Sequence, residues 1–309
     1  MRIALFGVGA MGCLFGARLN EVADVTLVGR WPEQLEALKR GRLRITTPGG
    51  RKLYADLTAT DEVDGLDPVD VALIVTKSAR TAAAAEQAAQ VLKPEGAAIT
   101  LQNGIGNAAT VAAAVGVERT TMGVTTEGAA TDGPGVLRYA GPGTTSIAAR
   151  PAIRPTLEAF VGLLKEGGLA AELVEDVSAL AWGKLAVNAA INPLTALLRV
   201  PNGALLESEW SHTLLREAAR EVGAVAAAKG ITLPYPDPAA EAERVADRTA
   251  ANRSSMLQDV LRGVETEIEV INGSVMREGA ARGVPTPVNA TLYGLVKALQ
   301  ESRAQRISE

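Results

Sequence analysis

Cysteine and histidine are almost missing from this chain: Cys13 and His212 are the only ones among 309 residues. A single cysteine excludes an intrachain disulfide, and one histidine with one cysteine cannot assemble a His/Cys metal site. Cys13 reads as a small buried helix residue and His212 as a surface helix residue. Aromatic residues make up only 3%, which leaves no stacking platform for bases. A net charge of −4, with no basic run, speaks against nucleic acid as a partner. No apolar run reaches the roughly 18 to 20 residues that span a bilayer, so no membrane partner is expected. Residues 3–17 carry no charge, but Gly7, Gly9, Gly12 and Gly16 are poor material for a signal-peptide helix. A cytoplasmic, metal-free protein is expected.

What is present begins at the N-terminus. An apolar strand-like run, Arg2-Ile3-Ala4-Leu5-Phe6, leads into Gly7-Val8-Gly9-Ala10-Met11-Gly12, and a helix-compatible stretch follows. A strand that stops at a glycine turn and restarts as a helix is the nucleotide-gripping corner of a Rossmann-like unit. Gly7 permits the turn, Gly9 lets backbone amides approach a pyrophosphate, and Gly12 lets the helix pack on the strand. The helix N-terminus adds free N–H groups and the positive end of its dipole. A second strand, Asp24 to Val28, stands at the expected distance. NAD sites usually carry Asp or Glu at its tip, about 20 residues past the glycines. This chain reads Val28-Gly29-Arg30-Trp31 instead. The Arg30 guanidinium can pair with a 2′-phosphate in a bidentate fork, which points to NADP (NADPH).

With 47% hydrophobic content the chain can build two modest domains. The first half alternates strand and helix. A helix is expected near Pro32 to Arg40, a polar hairpin around Pro48-Gly49-Gly50, and a buried parallel strand over Asp70 to Val75. A helix over Thr81 to Leu92 should stop at Lys93-Pro94-Glu95-Gly96, with a strand over Ala97 to Leu101 beyond it. Further β segments are expected around Gly135 to Tyr139, Thr145 to Ala148 and Glu172 to Val174, with a helix from Ile153 to Lys165. Past Asp176 the strand pattern disappears and long helical patterns take over. The expected fold is an α/β N-terminal Rossmann-like domain with a mainly parallel sheet, residues 1–176, followed by an all-α C-terminal domain, residues 177–309.

Chemistry is expected at the carboxyl ends of the first domain's strands, where two domains would face each other. Two loops fall there, Thr76-Lys77-Ser78 and Gln102-Asn103-Gly104-Ile105-Gly106. Lys77 and Asn103 can touch polar groups of cofactor and substrate, although Asn-Gly is also a common turn pair. The helical half opens with a stronger signal. Lys184, Asn188 and Asn192 are spaced i, i+4, i+8 and share one helix stripe with apolar neighbours Leu185, Val187 and Ile191. Such polar groups need partners, which a bound polar ligand supplies. Pro193 should kink or end that helix. A later cluster holds Asn252, Ser254, Ser255 and three carboxylates, Glu265, Glu267 and Glu269. Ser254 or Ser255 can cap the following helix. On one straight helix Ser255 and Glu267 would sit some 120° apart, so spacing leaves the three carboxylates equal.

Together these blocks carry a resemblance. The glycine turn, T-K at 76–77, Q-N-G-I-G at 102–106, W-G-K-L-A-V-N-x-x-I-N-P-L-T-A at 182–196, P-N-G at 201–203, S-S-M-L-Q-D at 254–259 and T-E-I-E-x-I-N-G at 266–273 resemble the ketopantoate reductase (2-dehydropantoate 2-reductase) family. The match runs in order over nearly the whole chain. The resemblance implies an NADP-dependent oxidoreductase of pantothenate biosynthesis, with Lys184 as the catalytic lysine and Glu267 as its acidic counterpart. It implies Asn103, Asn188, Asn192, Asn202, Asn252 and Ser255 as substrate or cofactor contacts, Lys77 on the nicotinamide side and Glu127 among the cofactor residues. The partner would be a small 2-oxo acid, the protein a monomer or homodimer. The chain departs from the pattern at Arg80, where relatives often carry a polar amide. Two rival readings are an NADPH-dependent β-hydroxy acid dehydrogenase, which would keep Lys184 and Asn188 but need not keep Ser255 and Glu267, and a non-catalytic NADP sensor.

Overall fold

The computed structural model describes residues 1–305. They form two compact units, residues 1–102 with 107–177, and residues 103–106 with 178 onward. The first unit opens with β1 (Arg2–Phe6), α1 (Ala10–Leu19), β2 (Asp24–Val28) and α2 (Pro32–Arg40). Then come β3 (Leu43–Thr46), β4 (Lys52–Ala55), β5 (Thr58–Thr60), β6 (Val69–Ile74), α3 (Thr81–Val91), β7 (Leu92–Thr100) and α4 (Asn107–Val115). It continues through β8 (Thr120–Thr125), β9 (Gly128–Gly133), β10 (Val136–Gly141), β11 (Thr144–Ala148), α5 (Arg154–Glu166) and β12 (Ala170–Val174).

Eight strands form one sheet in the order β12-β11-β8-β7-β6-β1-β2-β5, parallel throughout except where β11 meets β8. The central order β5-β2-β1-β6-β7-β8 is the doubly wound arrangement, with the chain reversing direction across the sheet between β1 and β6. Side chains alternate across it: Ile3 and Leu5 join a core with Phe15 and Phe160 on one face. Ala4 and Phe6 join Ala84, Ala85 and Ala88 on the other. Each fully buried Leu, Ile or Phe contributes roughly 1.5–3 kcal/mol, so these paired cores fix the central strands firmly. The alanines let α3 lie close to the sheet.

A second, four-stranded sheet, β4-β3-β10-β9, was only half expected, through its β3–β4 hairpin and part of β10. The anticipated stop at Lys93–Gly96 is not a loop, because β7 begins at Leu92 directly after α3. The pairing slips there: Val69 faces Leu92 while Val71 faces Ala97, so Pro94 falls in a bulged stretch that needs no ladder N–H.

The second unit is helical: α6 (Ser178–Leu198), α7 (Glu209–Ala228), α8 (Pro238–Arg248), α9 (Ser255–Arg262), α10 (Asn272–Ala280) and α11 (Pro287–Glu301). Its cores gather Trp182, Leu185, Val222 and Ile268 in one cluster and Ile191, Leu194, Leu205 and Leu215 in another. Pro193 does not end α6. The helix runs on to Leu198 and stops where Arg199 takes a left-handed φ of 56°. Nor do Ser255 and Glu267 share a helix: α9 ends at Gly263, φ 67°, and Glu267 lies in the irregular segment beyond. Among the described residues no helix is long and apolar enough to cross a membrane.

Candidate active site

In the first unit β1 delivers the chain into the glycine turn. Gly7 donates its N–H to Val28 O at 2.8 Å and holds φ 137°, and a Cβ there would lie 2.9 Å from the Val75 carbonyl. A Cβ on Gly12 would collide with Gly7 O, so the start of α1 sits directly on the turn. Gly9 differs: a Cβ there meets nothing within 4 Å. Gly9 is also the N-cap of α1, without a side-chain cap, and the first turn holds no acidic residue. Open space at Gly9, first-turn N–H groups and the positive helix end together suit a pyrophosphate. Val8 is buried and packs beneath Gly29, and Ala10 and Met11 form the half-buried first turn of α1. The exposed Arg30 follows, with no carboxylate in the Val28–Trp31 tip.

Lys77 is exposed and precedes a single 3-10 turn, Ser78–Arg80. Sequence reasoning missed what holds this loop. Gln102 Nε2 donates to Thr76 O at 2.9 Å and to Thr81 Oγ1 at 2.8 Å, while Thr100 Oγ1 donates to Gln102 Oε1 at 2.9 Å. Glu127 is buried and accepts from Tyr139 Oη at 2.9 Å. Burial and that carboxylate push the Tyr139 hydroxyl up to about 12.

The second unit brings three of the expected residues together. Asn103 Nδ2 donates to Glu267 Oε2 at 3.0 Å, and Ile105 N donates to Val270 O at 3.1 Å. Gly104 makes that approach possible, because at φ 81° any Cβ would strike the Val270 carbonyl. Lys184, on α6, lies in the field of the same Glu267. Burial pushes its ammonium down to about 8, and the Glu267 carboxylate draws it back only part of the way. The carboxylates that spacing left equal are now distinct. Glu267 is buried; Glu269 is exposed and bound by Tyr293 Oη at 2.7 Å and Arg277 Nη1 at 2.6 Å; Glu265 is exposed.

Asn188 and Asn192 continue the Lys184 stripe along α6, Asn192 buried and Asn188 half-buried. Asn202 is buried, with its Nδ2 on Thr249 Oγ1 at 2.8 Å and its backbone N–H on Asn252 O at 3.0 Å. Asn202 Oδ1 is buried with no hydrogen-bond partner among the described residues. Asn252 and Ser255 are exposed. Ser254, not Ser255, caps α9: its Oγ accepts from Leu257 N at 3.0 Å and from Thr195 Oγ1 at 2.7 Å. Among the described residues no group of three or more His, Cys, Asp or Glu could hold a metal ion.

A doubly wound unit with a glycine turn, joined in one chain to a helical unit carrying a low-pKa lysine beside a carboxylate, is the build of a pyridine-nucleotide-dependent reductase. This chain belongs to the ketopantoate reductase family: the profile described as ketopantoate reductase PanE/ApbA matches residues 3–152, and its C-terminal counterpart matches residues 176–300. The 2-dehydropantoate 2-reductase of Archaeoglobus fulgidus is 36% identical over 301 residues, 97% of this chain and 98% of the relative. That of Halobacterium salinarum is 35% identical over 97% of this chain and 99% of its own. A solved PanE/ApbA family ketopantoate reductase from Ralstonia eutropha superposes with a TM-score of 0.89 at 29% identity, covering 98% of this chain and 100% of that one. A D-mandelate dehydrogenase solved with NADH and anilino(oxo)acetate gives 0.91 at 28% identity, covering 98% and 99%.

Proposed function

We propose that the protein reduces 2-dehydropantoate (ketopantoate) to pantoate, the substrate its curated relatives' names give for them, and that it does so with NADPH. The observation that carries this reading is the half-buried Lys184 beside the Asn103-bound Glu267. Cofactor contacts are assigned to residues 7–12, Arg30, Lys77, Asn103 and Glu127, within residues 1–176. Substrate contacts are assigned to Lys184, Asn188, Asn192, Asn202, Asn252, Ser255 and Glu267, within 177–309, with Asn103 serving both.

A nicotinamide cofactor held at residues 7–12 would supply a hydride for the ketone carbon. As the carbonyl oxygen gains charge, the Lys184 ammonium stabilises it and donates its proton there. Glu267 fixes a substrate hydroxyl and holds the lysine; Asn103 in turn fixes the carboxylate. The asparagine amides and the Ser255 hydroxyl orient the substrate without adding charge, and orientation of this kind is worth several kcal/mol of barrier.

Because the donor is the protonated amine, reduction should be fastest below the Lys184 pKa and fall as pH rises through about 8. Glu267 raises that pKa, so Glu267→Gln should move the falling limb of kcat/KM to lower pH. A profile flat to well above pH 8 in the unsubstituted enzyme would remove Lys184 from the role.

Arg30 supports NADPH as the preferred cofactor. The expected preference over NADH is at least about tenfold, or roughly 1.4 kcal/mol. Arg30→Ala should weaken NADPH and leave NADH nearly unchanged; equal loss for both would show that Arg30 does not bind the phosphate. The NADH held by the D-mandelate dehydrogenase neighbour favours a second reading, an NADH-dependent reductase of a different 2-oxo acid. Initial rates with ketopantoate, hydroxypyruvate and an aryl 2-oxo acid, each with both cofactors, decide between them. Ketopantoate turnover no faster than the others would overturn the first reading.

A further inference from the structure

Pro193 lies inside α6 and has no N–H to give to Ala189 O, the carbonyl four residues back. A buried helix carbonyl without a donor is costly, and another side chain supplies one here. Asn272 Nδ2 donates to Ala189 O at 3.0 Å, and also to Asn289 Oδ1 at 2.9 Å. Asn289 Nδ2 donates to Ala218 O at 3.1 Å and to Glu221 Oε2 at 2.7 Å. Glu221 closes the chain by accepting the N–H groups of Val288 and Asn289 at 2.8 and 2.9 Å. Both asparagines are fully buried.

The directions are forced. Ala218 O and Glu221 only accept, so Asn289 must turn its amino group to them and its oxygen to Asn272. Asn272 must then present its amino group to both Asn289 and Ala189. Its own oxygen is left buried without a partner among the described residues. The polar contacts of this side chain are thus the two hydrogen bonds its amino group donates.

Ala189 lies between Asn188 and Asn192 on the Lys184 stripe. Asn272 starts α10 and is one turn from Glu267, whose carbonyl accepts from Val270 N at 3.2 Å and Ile271 N at 3.1 Å. We propose that Asn272 is a positioning residue: by replacing the hydrogen bond that Pro193 removes, it fixes the Asn188–Asn192 turn of α6 against the segment that carries Glu267. The proposal rests on the function given above, since those residues are its substrate contacts.

A double-mutant cycle tests it. Asn272→Ala strands Ala189 O and should raise KM for the 2-oxo acid about tenfold, with kcat within about threefold and the KM for NADPH unchanged. Pro193→Ala restores a backbone N–H four residues past Ala189, so alone it should be close to wild type. Added to Asn272→Ala, it should bring KM back to within about threefold of wild type. The proposal fails if Asn272→Ala lowers only the Tm, or if Pro193→Ala leaves the KM loss unrepaired. Should Asn272→Ala not fold, Asn272→Ser, with its shorter donor, is measured with and without Pro193→Ala under the same criteria. Wild-type protein that turns over no 2-oxo acid refutes the function instead. The relay is then judged on Tm alone, where Pro193→Ala must offset more than half of the Asn272→Ala loss.

Discussion

Lys184→Ala is expected to lower kcat by about a hundredfold or more, because it removes both the proton donor and the charge facing the developing alkoxide. The wild-type side chain is held half-buried, with burial pushing its pKa down to about 8. NADPH affinity, measured by fluorescence titration, should change little, since the phosphates are assigned to the glycine turn and Arg30. Folding should survive, because trimming a half-buried polar side chain leaves the surrounding apolar core intact. A folded Lys184→Ala enzyme with near-normal turnover would make the stripe structural and the mechanism wrong.

The second large effect separates two glycines of one turn. Gly9→Val points a side chain into space that no protein atom occupies within 4 Å of its Cβ. It should leave the Tm within a degree or two, because surface changes of this sort cost about 0.5 kcal/mol or less. NADPH binding should nevertheless weaken by about a hundredfold or more, the loss expected when backbone N–H contacts to a pyrophosphate are blocked. Gly12→Val does the reverse. Its Cβ would overlap Gly7 O, so the turn must open and the Tm must drop by several degrees, whatever happens to the cofactor. Thermal melts and NADPH titrations on both variants check the contrast. Equal thermal loss for both, or unimpaired NADPH binding by Gly9→Val, would show that the phosphates are not cradled at Gly9.

These effects concern the parts of the molecule most legible in the sequence. The strand–glycine–helix corner declares itself because each glycine answers a local steric demand. The Lys184 stripe is equally visible, since period 3.6 sets it against apolar neighbours. Glu267 could not be singled out by spacing, because Gly263 breaks the helix on which that spacing was measured. Short strands such as Thr120–Thr125 and Gly128–Gly133 are rich in threonine, glycine and alanine and show no hydrophobic alternation, so only their pairing identifies them. Local rules expect Pro193 to kink or end the helix. The carbonyl that Pro193 leaves without a backbone donor, Ala189 O, is met by Asn272, 83 residues from Ala189, and no local pattern announces such a partner.

The Asn103–Glu267 contact has a consequence for how the protein folds. Its two ends are separated by 164 positions, and residues 103–106 are built into a unit whose remaining chain starts at Ser178. That unit therefore cannot be completed from contiguous sequence. The Glu267 carboxylate gains its amide partner only when a loop of more than half the chain length closes. Closure entropy of this kind rises slowly with length but must be met before the contact rewards it. The substrate site should thus be among the last regions to become native, after the hydrophobic cores of each unit have formed.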